Sequence, residues 1–207
     1  MQGQFDRYLK TLGSTLEDVV ATDGAGNPLA TGKAIASTAL AARRIHDAGG
    51  KAMFIGNGGS AAIASHMAID FSKNGRVRAL AFNDGAALTC LGNDHDFSEV
   101  FSRQIGFHAQ PGDLLFAISS SGRSADIVKA VATARDIGCH IVTLSGFTPD
   151  NPLRLLGDIN LFAPSDAYGF VEISHLVLCH AVVDHLSGAT EELIAGHPAV
   201  SALAHVT

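Results

Sequence analysis

Ala52-Met-Phe-Ile-Gly56-Asn-Gly-Gly-Ser60 joins a short apolar run to a glycine-rich loop, and Leu114-Leu-Phe-Ala-Ile-Ser119-Ser-Ser-Gly-Arg-Ser124 has the same plan with serine in place of glycine. Each run is too short for a buried helix and ends on turn residues, so each reads as a buried strand. A helix-like stretch follows each loop, about residues 61–73 and 124–138. Working outward, 79–82, 141–144 and 159–162 are further apolar runs, and 97–108 and 170–186 are further helix-like stretches. Strands alternating with helices predict a parallel sheet covered on both faces.

Ahead of the first strand, Phe5, Leu9, Leu12, Leu16, Val19 and Val20 recur at helical spacing. An Ala-rich run over about 28–48 follows a turn-rich segment at 22–28, so two opening helices are expected. The division is 1–50 as N-terminal helices serving oligomerisation, 51–190 as one α/β domain, and 191–207 as a C-terminal tail.

The composition fits one such domain. The 207 residues are 47% hydrophobic and 16% charged, which excludes a disordered chain and leaves a surface poor in charge, as subunit burial would. The net charge is −6 and no block of Lys or Arg occurs, so neither nucleic acid nor an anionic membrane has an electrostatic footprint. Cys90, Cys139 and Cys179 are odd in number, widely spaced and flanked by apolar residues. They read as buried free thiols in a reducing compartment. The absence of an apolar leader and of a long apolar run makes the cytoplasm the expected location.

Both loops lead from a strand to a helix, where backbone N–H groups and the helix dipole can face an anion. A dinucleotide fingerprint would need a third glycine where Ala61 stands. Ser119, Ser120, Ser121 and Ser124 add hydroxyl donors suited to a phosphate monoester, the bland alternative being that Ser124 is a helix cap with Asp126 in the first turn. In an open parallel sheet the two loops share the carboxyl edge, where phosphorylated ligands bind. His66 and Asp70 lie four apart on one helix, while Glu172 and His180 lie eight apart on another, about 80° apart around its axis. Two His and two carboxylates make a plausible tetrahedral zinc set, though a His and Asp at this spacing are also common on a solvated face.

Gly56-Asn-Gly-Gly-Ser60, Gly92-Asn-Asp94, Phe101-Ser-Arg-Gln104 and the serine loop, in this order and spacing, resemble the SIS (sugar isomerase) domain family and within it the phosphoheptose isomerases. The resemblance runs from about residue 30 to 188 and also accommodates the opening helices. It implies a five-stranded parallel sheet flanked by helices, a doubly wound, flavodoxin-like three-layer sandwich. It implies a homotetramer with active sites at subunit contacts, and isomerisation of sedoheptulose 7-phosphate to D-glycero-D-manno-heptose 7-phosphate. Substrate contacts are then expected from Asn57, Gly58, Gly59, Ser60, Asp94, Ser119, Ser120, Ser121, Ser124 and Glu172.

The zinc ligands implied are His66, Asp70, Glu172 and His180, with Asp70 as base and His180 as acid. Asp70 and Glu172 stand where such isomerases generally carry Glu and Gln, Asn74 stands near an expected Arg, and Gly169 stands at an expected Asp. The alternative within the same resemblance is a non-catalytic tetramer, a sugar-phosphate sensor or a protein associating with the replication initiator. That branch generally loses the metal carboxylates.

Overall fold

A computed structural model describes residues 2–194; positions 195–207 of the expected tail lie outside the described residues. In chain order the strands are β1 (Val20–Asp23), β2 (Pro28–Leu29), β3 (Ala52–Gly56), β4 (Ala79–Ala81), β5 (Leu114–Ser119), β6 (His140–Ser145) and β7 (Ile159–Phe162). The helices are α1 (Gln2–Glu17), α2 (Thr31–Asp47), α3 (Gly59–Lys73), α4 (Gly85–Asp94), α5 (Val100–His108), α6 (Ala125–Ile137), α7 (Tyr168–Ser187) and α8 (Thr190–Ile194).

The strands form one sheet in the order β2-β1-β7-β6-β5-β3-β4. From β4 to β7 all neighbours are parallel, while β1 pairs antiparallel with β7 and with β2. The sheet is therefore mixed and seven-stranded, not five-stranded and all parallel. The turn-rich segment between the opening helices is the tip of a hairpin that extends the sheet. Val19 and Val20, expected to continue the first helix, lie beyond its end, and Val20 starts β1.

Side-chain alternation along the strands builds two cores. Phe54, Phe116, Ile118, Val142 and Leu144 face a layer containing Ala39 and Ala42 of α2, Met67 and Phe71 of α3, and Leu178 and Val182 of α7. Met53, Ile55, Leu115, Ala117 and Ile141 face the opposite layer, with Phe101 and Ile105 of α5 and Ile127, Ala130 and Val131 of α6. The first core is centred on Phe54, stacked on Phe116 at 4.5 Å and edge-on to Phe71 at 5.0 Å. Burying each such ring contributes about 1.5–3 kcal/mol. Since α2 supplies residues to this core, the N-terminal segment is packed into the domain.

By length and composition alone, α7 is apolar enough to cross a membrane, contrary to the expectation that no segment would be. In the fold it is the helix that packs on α2 and α3, with Val171, His175, Cys179 and Val182 buried. The chain leaves β3 toward β4 on one side and β5 lies on β3's other side, so the topological switch point falls between β3 and β5. That is where open α/β sheets form a ligand crevice at their carboxyl edge.

Candidate active site

At that switch point Gly56 pairs with Ile118, which brings the glycine loop and the serine loop side by side. Between them lies a cavity of about 240 Å³. Asn57, Gly58, Gly59 and Ser60 form one wall and Ser119, Ser120, Ser121 and Ser124 form another. Glu172 and Tyr168 of α7 also line it. Asp94 does not: it is the last residue of α4, its carboxylate accepts from Asn93, and it lies outside the cavity lining. Tyr168 was not anticipated, because an exposed aromatic just before a predicted helix carries no spacing signal.

Among the helices that start at the cavity, α3 and α6 follow the two loops, and neither has a side-chain cap. Ser124 occupies the N-cap position of α6, yet its hydroxyl lies 3.3 Å from the Ser119 hydroxyl and makes no bond to the first-turn N–H groups. The capping alternative for Ser124 is thereby removed. Two helix N-termini thus present uncapped N–H groups and the positive ends of their dipoles at one cavity. Ser120 Oγ is buried without a partner among the described residues.

The serine loop is shaped by Gly122, whose φ of +62° is strained for other residues and whose Cβ position is filled by the Asn151 side chain. Its N–H donates to Ser119 Oγ at 3.2 Å. Arg123 points elsewhere, donating to Asp150 at 3.0 Å and Thr148 at 3.3 Å. Opposite, Asn57 Nδ2 donates to Asp126 Oδ2 at 2.7 Å and ties the two loops together.

Further along the α3–α7 groove, ligand atoms of His66, Asp70 and His180 lie within 4.8 Å of one another. Asp70 Oδ2 is 3.5 Å from His66 Nε2 and 3.7 Å from His180 Nδ1. Glu172, expected as the fourth ligand, is not in this group. Its angular offset from His180 is small, but eight residues also rise about 12 Å along a helix, and its carboxylate rests instead on Gly59. The His/Asp group and the cavity are likewise separated within one chain: six residues from Ser60 to His66 rise about 9 Å.

His175 is a core residue, with its Nε2 3.0 Å from the Ser145 carbonyl oxygen, and burial pushes its pKa down to about 4. Cys139 and Cys179 are buried, and burial raises their thiol pKa values to about 11 and about 12. Cys90, expected to be buried, is exposed on α4 with its thiol pKa raised chiefly by a hydrogen bond to Asp94.

Residues 7–146 match the SIS domain family. A phosphoheptose isomerase of Bradyrhizobium is 39% identical over 177 residues, spanning 82% of this chain and 85% of that protein. Among solved structures, a phosphoheptose isomerase from Francisella tularensis superposes with a TM-score of 0.78 at 27% identity, covering 91% of this chain and 98% of the other. The phosphoheptose isomerase of Neisseria gonorrhoeae gives a TM-score of 0.70 at 32% identity over 74% of this chain and 86% of its own.

Proposed function

Since the chain belongs to the SIS domain family, we propose that it is a sugar-phosphate aldose–ketose isomerase that converts sedoheptulose 7-phosphate to D-glycero-D-manno-heptose 7-phosphate. One observation carries the reading: a cavity lined by four serines and faced by two uncapped helix N-termini. Among the described residues no Lys or Arg lines it. A phosphate monoester supplies what such a cavity lacks, accepting hydroxyl and N–H hydrogen bonds and sitting at the positive dipole ends.

Two imidazoles and one carboxylate converging within 4.8 Å suit zinc, which His66, Asp70 and His180 would hold, with Glu172 as a fourth ligand only if it left Gly59. Bound there, zinc supplies Lewis-acid stabilisation of negative charge on the substrate's oxygens. Asp70 is the group to take the proton from the carbon beside the carbonyl. His180 returns one at the neighbouring carbon, the exchange running through an enediol. Ser119, Ser120, Ser121 and Ser124 bind the phosphate together with the backbone of Gly58, Gly59 and Ser60, and Asn57 and Glu172 bind sugar hydroxyls.

The separation of cavity and His/Asp group within one chain supports a homotetramer whose sites are completed at subunit contacts, where Asp94 would also reach a sugar from a neighbouring copy. Exposed Ile69, Ile173 and Val177 flank Asp70, Glu172 and His180 and form an apolar surface for that contact. The buried, unbridged thiols fit a cytoplasmic enzyme.

The test is incubation of zinc-loaded protein with a panel of ketose phosphates, following aldose products. Heptulose turnover, abolished by His180→Gln in an intact oligomer, is the expected result. Tight sugar-phosphate binding with no turnover of any ketose would replace the isomerase by a sensor.

A further inference from the structure

Asp126 is a charged side chain only 4% exposed, in the first turn of α6, behind a cavity argued above to take an anion. A negative charge there opposes phosphate binding, so its presence calls for a separate reason. Its hydrogen-bond partner is the amide of Asn57, at 2.7 Å. A carboxylate only accepts, so the Asn57 group facing it is the NH2, and the amide's other end is its carbonyl oxygen. Asn57 lines the cavity, and its Oδ1 accepts no hydrogen bond among the described residues.

We infer that Asp126 is a positioning residue that locks the Asn57 amide with its oxygen toward the ligand, making the Asn57 side chain a receptor for a hydroxyl, while the phosphate is left to the serine hydroxyls and the backbone N–H groups of the two loops. Glu172, whose ionised carboxylate can only accept, also lines the cavity and lies against the same glycine loop. The cavity is then polarised. Donors at the serine loop take the phosphate, and acceptors at Asn57 and Glu172 take donor hydroxyls of the carbon chain. The ligand enters in one direction only, and inorganic phosphate satisfies only one end. This deepens, and rests on, the reading of the cavity as a sugar-phosphate site.

The experiment compares two affinities in the full-length protein by calorimetric titration, for sedoheptulose 7-phosphate and for inorganic phosphate, alongside KM and kcat. Asn57→Ala is expected to weaken sugar-phosphate binding about tenfold, the worth of one hydrogen bond, and to leave phosphate within twofold. Asp126→Asn keeps the volume and lets the amide sit either way round. Halving the competent population weakens the sugar phosphate about twofold, while phosphate is unchanged or tighter because a nearby negative charge is gone.

In the Asn57→Ala background, Asp126→Asn should have no further effect on the sugar phosphate, since it acts through Asn57. Asp126→Ala is the second variant at this position, with the same signs expected, and thermal melts check that each variant folds. A shift of both ligands in the same direction, an unchanged ratio, or a persisting sugar effect of Asp126→Asn without Asn57 overturns the inference. Turnover by the parent protein tests the isomerase reading separately, because the ratio of affinities needs no chemistry.

Discussion

The carboxylate of Glu172 rests on the α-carbon of Gly59, in the space a methyl group would fill. Gly59 has no left-handed backbone requirement, so the glycine serves the approach of Glu172 and not the turn. Gly59→Ala should therefore fold, because the displaced group is the end of a flexible side chain and alanine is well tolerated at a helix start. Moving that carboxylate by about an ångström should lower turnover roughly tenfold to hundredfold. Steady-state kinetics beside a thermal melt check this, and an unchanged rate would remove Glu172 from the positioning of the substrate.

Ser124→Ala separates ligand binding from helix capping. Its hydroxyl makes no cap hydrogen bond, so the usual loss of about 1 kcal/mol on removing a cap should not appear in a denaturation curve. Affinity for a sugar phosphate should fall about tenfold, since hydrogen bonds to a charged partner are worth roughly 1.5–3 kcal/mol. The opposite pattern, lost stability with affinity kept, would return this serine to a structural role.

Val177 is exposed on α7, one turn before His180. Under the proposed tetramer, Val177→Asp should shift the light-scattering mass from about four chains toward the 21.4 kDa of one, and activity should fall in parallel if the sites are shared between copies. A full assembly in this variant would move the contact to another face.

His175 predicts how stability varies with acid. Its folded pKa, about 4, lies below the ordinary 6.5 because burial disfavours the charged ring. The unfolded chain takes up the proton first as pH falls. This contribution is therefore complete above about pH 6.5 and drains away as pH drops toward 4, for a total of about 3 kcal/mol. Urea midpoints measured from pH 7.5 to 4.5 should decline, and His175→Gln should flatten the decline.

Much of the fold was legible because its strands are buried on both faces. The runs at 52–55, 114–118, 141–144 and 159–162 became β3, β5, β6 and β7 with at most one residue added at either end. The hairpin was not legible: Val19 and Val20 continue the spacing of Leu12 and Leu16, and β2 is two residues long. Helix α4 escaped because Gly85 and Gly92 depress its propensity and none of its residues is buried. In the site, the loops announced themselves by composition. Glu172 and His180 do not meet within this chain because a helical wheel records angle and discards axial rise.

The antiparallel strand β1 carries a consequence for how the chain is made. Asp23 pairs with Ile159 and Val20 with Phe162, so among the described residues the first strand is closed by the last. During synthesis the N-terminal hairpin has no sheet to join until β7 has left the ribosome, and the loop that must close then is well over a hundred residues long. Such long-range pairing slows folding, and until it forms β7 is an open edge able to pair with another chain. Once formed, it acts as a clasp: β1, made long before β7, seals the open edge of β7 only when β7 itself arrives.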